Sequence, residues 1–297
     1  IQGQFGTVTT TLASGSIFSL TSGEVVGTGA APGTPLVNVI GATRNEDRVI
    51  SNLLVSSAGG VEQYRGGDLV ARALAAAPGA ATSAVFRAAS PESYAGLADY
   101  ASRSTAALSL DSDFGRTRGE QDGLSAWTSV VNRGTGDSKS ADGLGYSLRG
   151  TSTTIGIEGA PGTNTRLSGF VSNDQGRART SMMTALTDGY AVGAGLKHRV
   201  AANESFLFGV DAIYASYSFK GTRRTFDGAA SSFDTQAGVG SVGASAAYEL
   251  ARSESGVFLF GLGLRNVWGS VDGFTERNSQ TYHGLTERGQ DFTDTIY

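Results

Sequence analysis

The chain has 297 residues, 43 of them glycine and only 5 proline, with a formal net charge of −4. That charge offers no basic field to nucleic acid or to an anionic membrane surface, and the absence of cysteine excludes disulfides and thiolate metal centres. Glycine at about twice its usual ~7% share, with no three-residue period and only 17% charged residues, fits many strands and tight turns rather than collagen.

The length admits one large or two moderate domains. The chain opens at Ile1 with neither a methionine nor a charged-then-apolar leader, so it reads as a piece of a longer product. No run approaches the ~20 apolar residues of a membrane helix. A membrane form must therefore be a barrel.

Residues 1–60 are the first unit, β-rich at its start. Phe5, Val8, Leu12, Ile17, Phe18 and Leu20 alternate with small polar residues, punctuated by Gly27, Gly29, Pro32, Gly33 and Pro35, which predicts short strands and turns. Asn45 caps a predicted helix with Glu46 and Asp47 in its first turn and Val49, Ile50, Leu53 and Leu54 on one face. Residues 61–123 form a helical linker. Asp68 opens a short helix that Pro78-Gly79 stops. Ser90-Pro91-Glu92 then starts a helix over 90–110: a favoured N-cap, a proline that needs no partner at N1, and an acid at the positive helix end. Ala95, Gly96, Ala98, Ala101, Ser102, Ser104, Ala106 and Ala107 keep this helix thin, and its bulk is confined to Tyr94, Leu97, Tyr100 and Leu108. Such a helix packs closely against other backbone, either on a soluble core or inside a barrel.

From Leu124 the period becomes two. Even positions carry Tyr190, Val192, Ala194 and Leu196, then Val242, Ala244, Ala246, Tyr248 and Leu250, then Phe258, Phe260, Leu262, Leu264 and Trp268. Odd positions between them carry glycine, small residues and Lys197, Arg199, Glu249 and Arg265. Strands of about ten residues, apolar on one side and ending in aromatics, are the pattern of a transmembrane barrel. A soluble sandwich also alternates, but it would bury those four charges or expose Phe258, Phe260, Leu262 and Leu264 as one apolar patch. The fold class is thus mainly β: an antiparallel outer-membrane barrel over 124–297. Strands are predicted near 124–132, 150–159, 164–173, 188–200, 205–219, 234–250 and 256–271, with an eighth near 280–297. Short connections at 160–163, 201–204 and 252–255 face long polar ones at 133–149, 174–187 and 220–233, as in a periplasm-to-surface arrangement. Tyr190, Tyr214, Tyr248, Phe258 and Trp268 are the expected interface aromatics.

Sites for chemistry are scarce. Gly238, Gly240 and Gly243 fit a dinucleotide fingerprint but sit inside an alternating strand instead of opening a helix. Gly136-Asp137-Ser138 resembles the start of an esterase block, yet it has no nearby histidine. The two histidines are His198, on the lipid-facing register, and His283, in a polar stretch without an identifiable partner, so neither makes a convincing base. The pairs Asp111/Asp113 and Glu46/Asp47 read as solvated charges. No enzyme active site, metal or cofactor is expected.

The order NEDRVISNLL, ASPESYAGLADYA, LSAWTSVV, GYSLRGTSTTIGIEG and, over 271–278, VDGFTERN resembles the C-terminal translocator region of type V autotransporters of Gram-negative bacteria. The resemblance covers about 45–297. It implies that 90–110 is a helix in the barrel lumen, that the barrel begins at 124–131, and that residues 1–60 end an exported passenger. It also implies barrel-assembly machinery, periplasmic chaperones, outer-membrane lipid and the chain's own passenger as partners, with the passenger at the cell surface. Lys197, Arg199, Glu249 and Arg265 would touch the lumen helix. Family barrels have twelve strands against the seven or eight here, so the chain is expected to stop inside the barrel. Some members release the passenger by asparagine-driven cleavage in this helix; 90–110 contains no asparagine. The alternatives are a small stand-alone surface barrel, adhesin- or porin-like, or a soluble β-rich domain.

Overall fold

The computed structural model describes residues 18–19, 38–39, 94–108, 123–137, 145–200, 205–224, 230–253, 256–278 and 286–296. The helices expected at 45–54 and 68–77, the Ser90 helix start, the Asp111/Asp113 pair, His283 and the boundary near residue 60 lie outside those residues. Near the N-terminus, β1 (Phe18–Ser19) pairs antiparallel with β2 (Asn38–Val39). The helix α1 runs over Ala95–Ala106, and its N-cap position, Tyr94, makes no side-chain cap hydrogen bond.

The long strands are β3 (Leu124–Asp137), β4 (Tyr146–Gly162), β5 (Thr165–Arg179), β6 (Met183–Arg199), β7 (Phe206–Arg224), β8 (Ala230–Ser253) and β9 (Gly256–Val271). Three short strands, β10 (Phe274–Thr275), β11 (Arg277–Asn278) and β12 (Thr286–Glu287), precede β13 (Gln290–Ile296). The main sheet is an antiparallel meander in the order β13-β9-β8-β7-β6-β5-β4-β3, with β11 also pairing β8. Each long strand pairs with its sequence neighbour, as short reversals dictate. The eighth strand expected near 280–297 is β13. α1 touches β4, β5, β7, β8, β9 and β13. Contact with strands from both ends of the meander requires the sheet to curl around the helix, leaving β3 and β13 as its two edges.

Two expectations are corrected. Strands β3 to β9 run to between 14 and 24 residues instead of about ten, and the long polar loops are largely strand. The loop expected at 174–187 shrinks to a turn in which the Thr180 hydroxyl accepts from the backbone N–H of Met182 (3.2 Å) and Met183 (3.0 Å). Beyond the apolar belt, Arg177, Arg179, Lys220, Arg224, Asp234 and Gln236 face water while their backbones stay in the ladder. Polar composition reads as loop along the chain, but the hydrogen-bond partners come from neighbouring strands.

The alternation separates two faces. On β6 to β9 even residues point out, and Tyr190, Val192, Val210, Tyr214, Val242, Phe260, Leu262 and Leu264 are all exposed. From Tyr190 to His198 on β6, and from Phe258 to Trp268 on β9, this belt covers roughly 20–26 Å in height at ~3.4 Å per residue and ~40° tilt, against the ~25 Å apolar band of outer-membrane barrels. The inner face is filled with aromatics lying across glycines of the next strand. Trp127 lies over Gly156, and Tyr217 over Gly189, where a Cβ would meet the ring. At these positions glycine permits close approach. No helix among the described residues is long and apolar enough to cross a membrane, which has no bearing on crossing by strands.

Candidate functional site: the helix seat in the lumen

α1 is sequestered on nearly every side. Leu97, Ala101 and Thr105 are at most 1% exposed, and Tyr94, Tyr100, Ser102, Ser104 and Leu108 are also buried. The small residues of the helix explain how it fits: Gly96 faces Tyr146 at a distance where a Cβ would already be in tight contact, 3.4 Å.

At the N-terminal end the Tyr94 hydroxyl donates to Glu276. Arg223 clamps the same carboxylate bidentately, Nε to Oε1 at 2.5 Å and Nη2 to Oε2 at 2.7 Å. The pair is 3% and 0% exposed. The Tyr94 ring meets Phe233 (4.9 Å) and Phe274 (4.8 Å) edge-on, and those two rings stack. A bidentate pair with a third hydrogen bond offsets part of the desolvation cost of burying both charges.

Six residues on, Tyr100 donates to Asp174 Oδ1 at 2.6 Å, and Asp174 Oδ2 also accepts from Ser152 (2.6 Å) and from Arg133. The hydroxyl lies in a notch between the cross-strand partners Gly150 and Gly176, where any Cβ would collide with it (2.6 Å at Gly150). On the less buried side Tyr146 donates to Asp99, which is paired with Arg103 at 2.8 Å. Towards the C-terminal end Thr105 meets the Tyr217 hydroxyl at 3.1 Å, and Ser102 donates to Asp294 of β13.

The helix therefore has a direction. Tyr94 sits beside Arg223, Phe233 and Glu276, at the end where β7 meets β8 and β9 gives way to β10. Thr105 sits beside Tyr217, six residues back along β7, and β3 begins at the opposite, short-turn end, with Leu124 paired to Gly159.

The four charges expected to touch the helix all point inward. Lys197 and Arg265 are 6% and 4% exposed, and Arg199 and Glu249 are half-buried. They lie nearer the short-turn end than the Tyr94 and Tyr100 seats. Arg199 pairs with Glu249 at 3.4 Å, and Arg265 pairs with Asp211 at 2.6 Å while donating to Ser241 at 2.8 Å. Arg166 and Glu158 form a further pair at 3.0 Å. The residues that hold Tyr94 and Tyr100, namely Arg223, Glu276, Asp174 and Arg133, were not singled out from sequence. Arg223 fell in a presumed loop, and Glu276 stood in the VDGFTERN phrase without a role.

The expected interface aromatics all face outward: Tyr190, Tyr214 and Trp268 towards the long-strand end, Tyr248 and Phe258 towards the short-turn end. His198 is exposed on the same face and meets the Thr165 hydroxyl at 3.0 Å. Gly238, Gly240 and Gly243 lie within β8, and Gly136 and Asp137 within β3. Among the described residues no group of three or more His, Asp or Glu converges as a metal site would.

An outward-apolar antiparallel sheet curls around the buried helix α1. This fold is similar to that of the translocator domain of autotransporter NalP from Neisseria meningitidis, with a TM-score of 0.55 and 20% identity over 68% of this chain and 67% of that one. No family profile and no curated protein matches the sequence. The fold is that of an autotransporter translocator region.

Proposed function

We propose that this chain is an outer-membrane translocator that carries its own N-terminal passenger to the cell surface. The observation that supports it best is the direction of α1. Tyr94, the N-terminal end of α1, lies at the long-strand end, and the helix points back towards the short-turn end where β3 starts. A segment before the helix would thus reach the side of the membrane opposite the β4–β5 turn and the start of β3. The exposed belt supplies the lipid contact and the buried seat closes the lumen after passage, so no cofactor or catalytic group is required. Folding of sheet and passenger supplies the energy. Barrel-assembly machinery and periplasmic chaperones would deliver the chain unfolded. Lys197, Arg199, Glu249 and Arg265 line the short-turn half, where a polar passenger would enter, and we assign them contact with the moving chain and with the helix as it docks.

The test uses cells expressing the complete reading frame. Outer-membrane fractions run unboiled and boiled give a band that shifts on heating, and external protease removes the N-terminal segment from intact cells. A heat-shifted band whose N-terminal segment is protected outside but cleaved after opening the outer membrane would leave a barrel without export. That is the stand-alone surface barrel.

A further inference from the structure

Charge is unevenly spread over the outer face above the apolar belt. On β4 and β5, at the long-strand end, Arg149 stands directly opposite Arg177, and Arg179 follows two residues on, opposite Ser147. All three are exposed, and among the described residues no carboxylate pairs with any of them. In the neighbouring sector the signs alternate: Lys220 of β7 lies opposite Asp234 of β8. Like charges directly opposite weaken strand pairing, so the Arg149–Arg177 pair works against the sheet until an anion lies between the two guanidiniums. Paired guanidiniums match the oxygens of a phosphate.

The surface between these arginines and the belt is graded. Ile155, Ile157 and Val171 are each more than half exposed and belong to the belt. Next come Thr151 and Thr153 on β4 and Asn173 and Gln175 on β5, which present hydroxyl and amide groups on the same face. The exposed Tyr190, opposite Asn173, borders this tier on β6. The arginines form the outermost tier, Arg177 standing roughly 16 Å beyond Val171 along the normal at ~3.4 Å per residue and ~40° tilt. Hydrocarbon, then hydroxyl and amide, then cation is the order that complements an acylated sugar carrying phosphate. A glycerophospholipid sets its phosphate next to its acyl esters and leaves the middle tier without a partner. We propose that the outer face of β4 and β5 holds one phosphorylated glycolipid of the leaflet at the long-strand end. Its acyl chains lie on the belt, its sugar crosses the hydroxyl and amide tier, and its phosphate sits between Arg149 and Arg177 with Arg179 beside it. The proposal rests on the membrane reading above.

The full chain, folded into neutral polyoxyethylene-ether micelles, is titrated with three probes at equal mole fraction. These are a diphosphorylated hexa-acyl diglucosamine lipid, the same lipid without its phosphates, and phosphatidylglycerol. Native mass spectrometry counts the lipid retained, and the heat-shifted band certifies folding of each variant. One diphosphorylated lipid is expected per chain, retained about eightfold better than its dephosphorylated form, from three exposed charge contacts at about twofold each. Phosphatidylglycerol is expected to fall between the two. Arg149→Gln with Arg177→Gln brings the two glycolipids close to parity, whereas Lys220→Gln, in the neighbouring sector, leaves the preference intact. Equal retention of phosphatidylglycerol and the diphosphorylated lipid, or an equal loss on Lys220→Gln, overturns the site and reduces the arginines to part of a general field. A heat-shifted chain that retains none of the probes overturns the site and leaves the membrane reading standing. A chain that folds without detergent and shows no heat shift overturns both.

Discussion

The two halves of the lumen are lined with charges of the same kind that do different work. In the long-strand half, Arg223–Glu276 and Arg133–Asp174 each accept a phenol from α1, so the ion pairs of the wall are completed by the helix. In the short-turn half, Arg265–Asp211, Arg199–Glu249 and Arg166–Glu158 join strand to strand. A buried pair is costly to desolvate and more costly to break, so the first set ties wall stability to helix docking and the second ties the wall to itself. The comparison separates a seat from a scaffold.

The comparison breaks most sharply at Arg223. Arg223→Ala leaves Glu276 buried and uncompensated and is expected to cost about 3–5 kcal/mol, read as a lower temperature for loss of the unboiled band. Arg223→Met with Glu276→Leu should recover most of that loss, because removing both charges removes the desolvation cost. If the helix is what the pair serves, the double variant still admits more small solute through the lumen in vesicle-swelling assays than the parent does.

Arg265→Leu strands Asp211 in the same way and should cost about 2–4 kcal/mol. Here the wall weakens while α1 stays protected from protease. Early cleavage of α1 in this variant would erase the distinction between the halves and mean that Arg265 also holds the helix once docked. The sharper form neutralises Arg265 and Glu249 together: unchanged folding and unchanged surface display would remove any role for them in passage.

Tyr100→Phe deletes one hydrogen bond to a buried carboxylate that keeps Ser152 and Arg133. A loss of about 1–2 kcal/mol is expected, together with faster exchange of the α1 amides than of the β7 amides by hydrogen-exchange mass spectrometry. Equal acceleration in both would mean that the helix and wall unfold as one unit.

The smallest effect concerns the β10–β12 pairing outside the belt. Burial pushes the Glu287 carboxyl above its ordinary range. A carboxyl whose folded pKa lies above its unfolded value is penalised while ionised. The penalty is lifted as pH falls through the folded pKa and gains nothing more below the unfolded one. Protection of the 286–287 amides should therefore rise slightly on mild acidification, and Glu287→Gln should abolish that rise.

Much of the wall was legible in the chain. Side chains of a strand alternate strictly, so the spacing of Tyr190, Val192, Ala194 and Leu196 against Lys197 and Arg199 assigned the outer and inner faces before any partner was known. The run of small residues from Ala95 to Ala107 marked a helix that must pack closely. Strand ends were misread because Arg177, Lys220 and Asp234 look like loop residues when only composition is seen, whereas neighbouring strands hold their backbones beyond the apolar belt.

The sequence by itself determined the period, the two faces, the aromatic positions and the thin helix, since each depends on residues a few positions apart. Only the tertiary structure decided what holds the helix. Tyr94 reaches Glu276 across 182 positions, Tyr100 reaches Asp174 across 74, and Arg223 reaches Glu276 across 53. Such pairings follow from how several strands stack in register and how far the sheet curls, which no local pattern encodes.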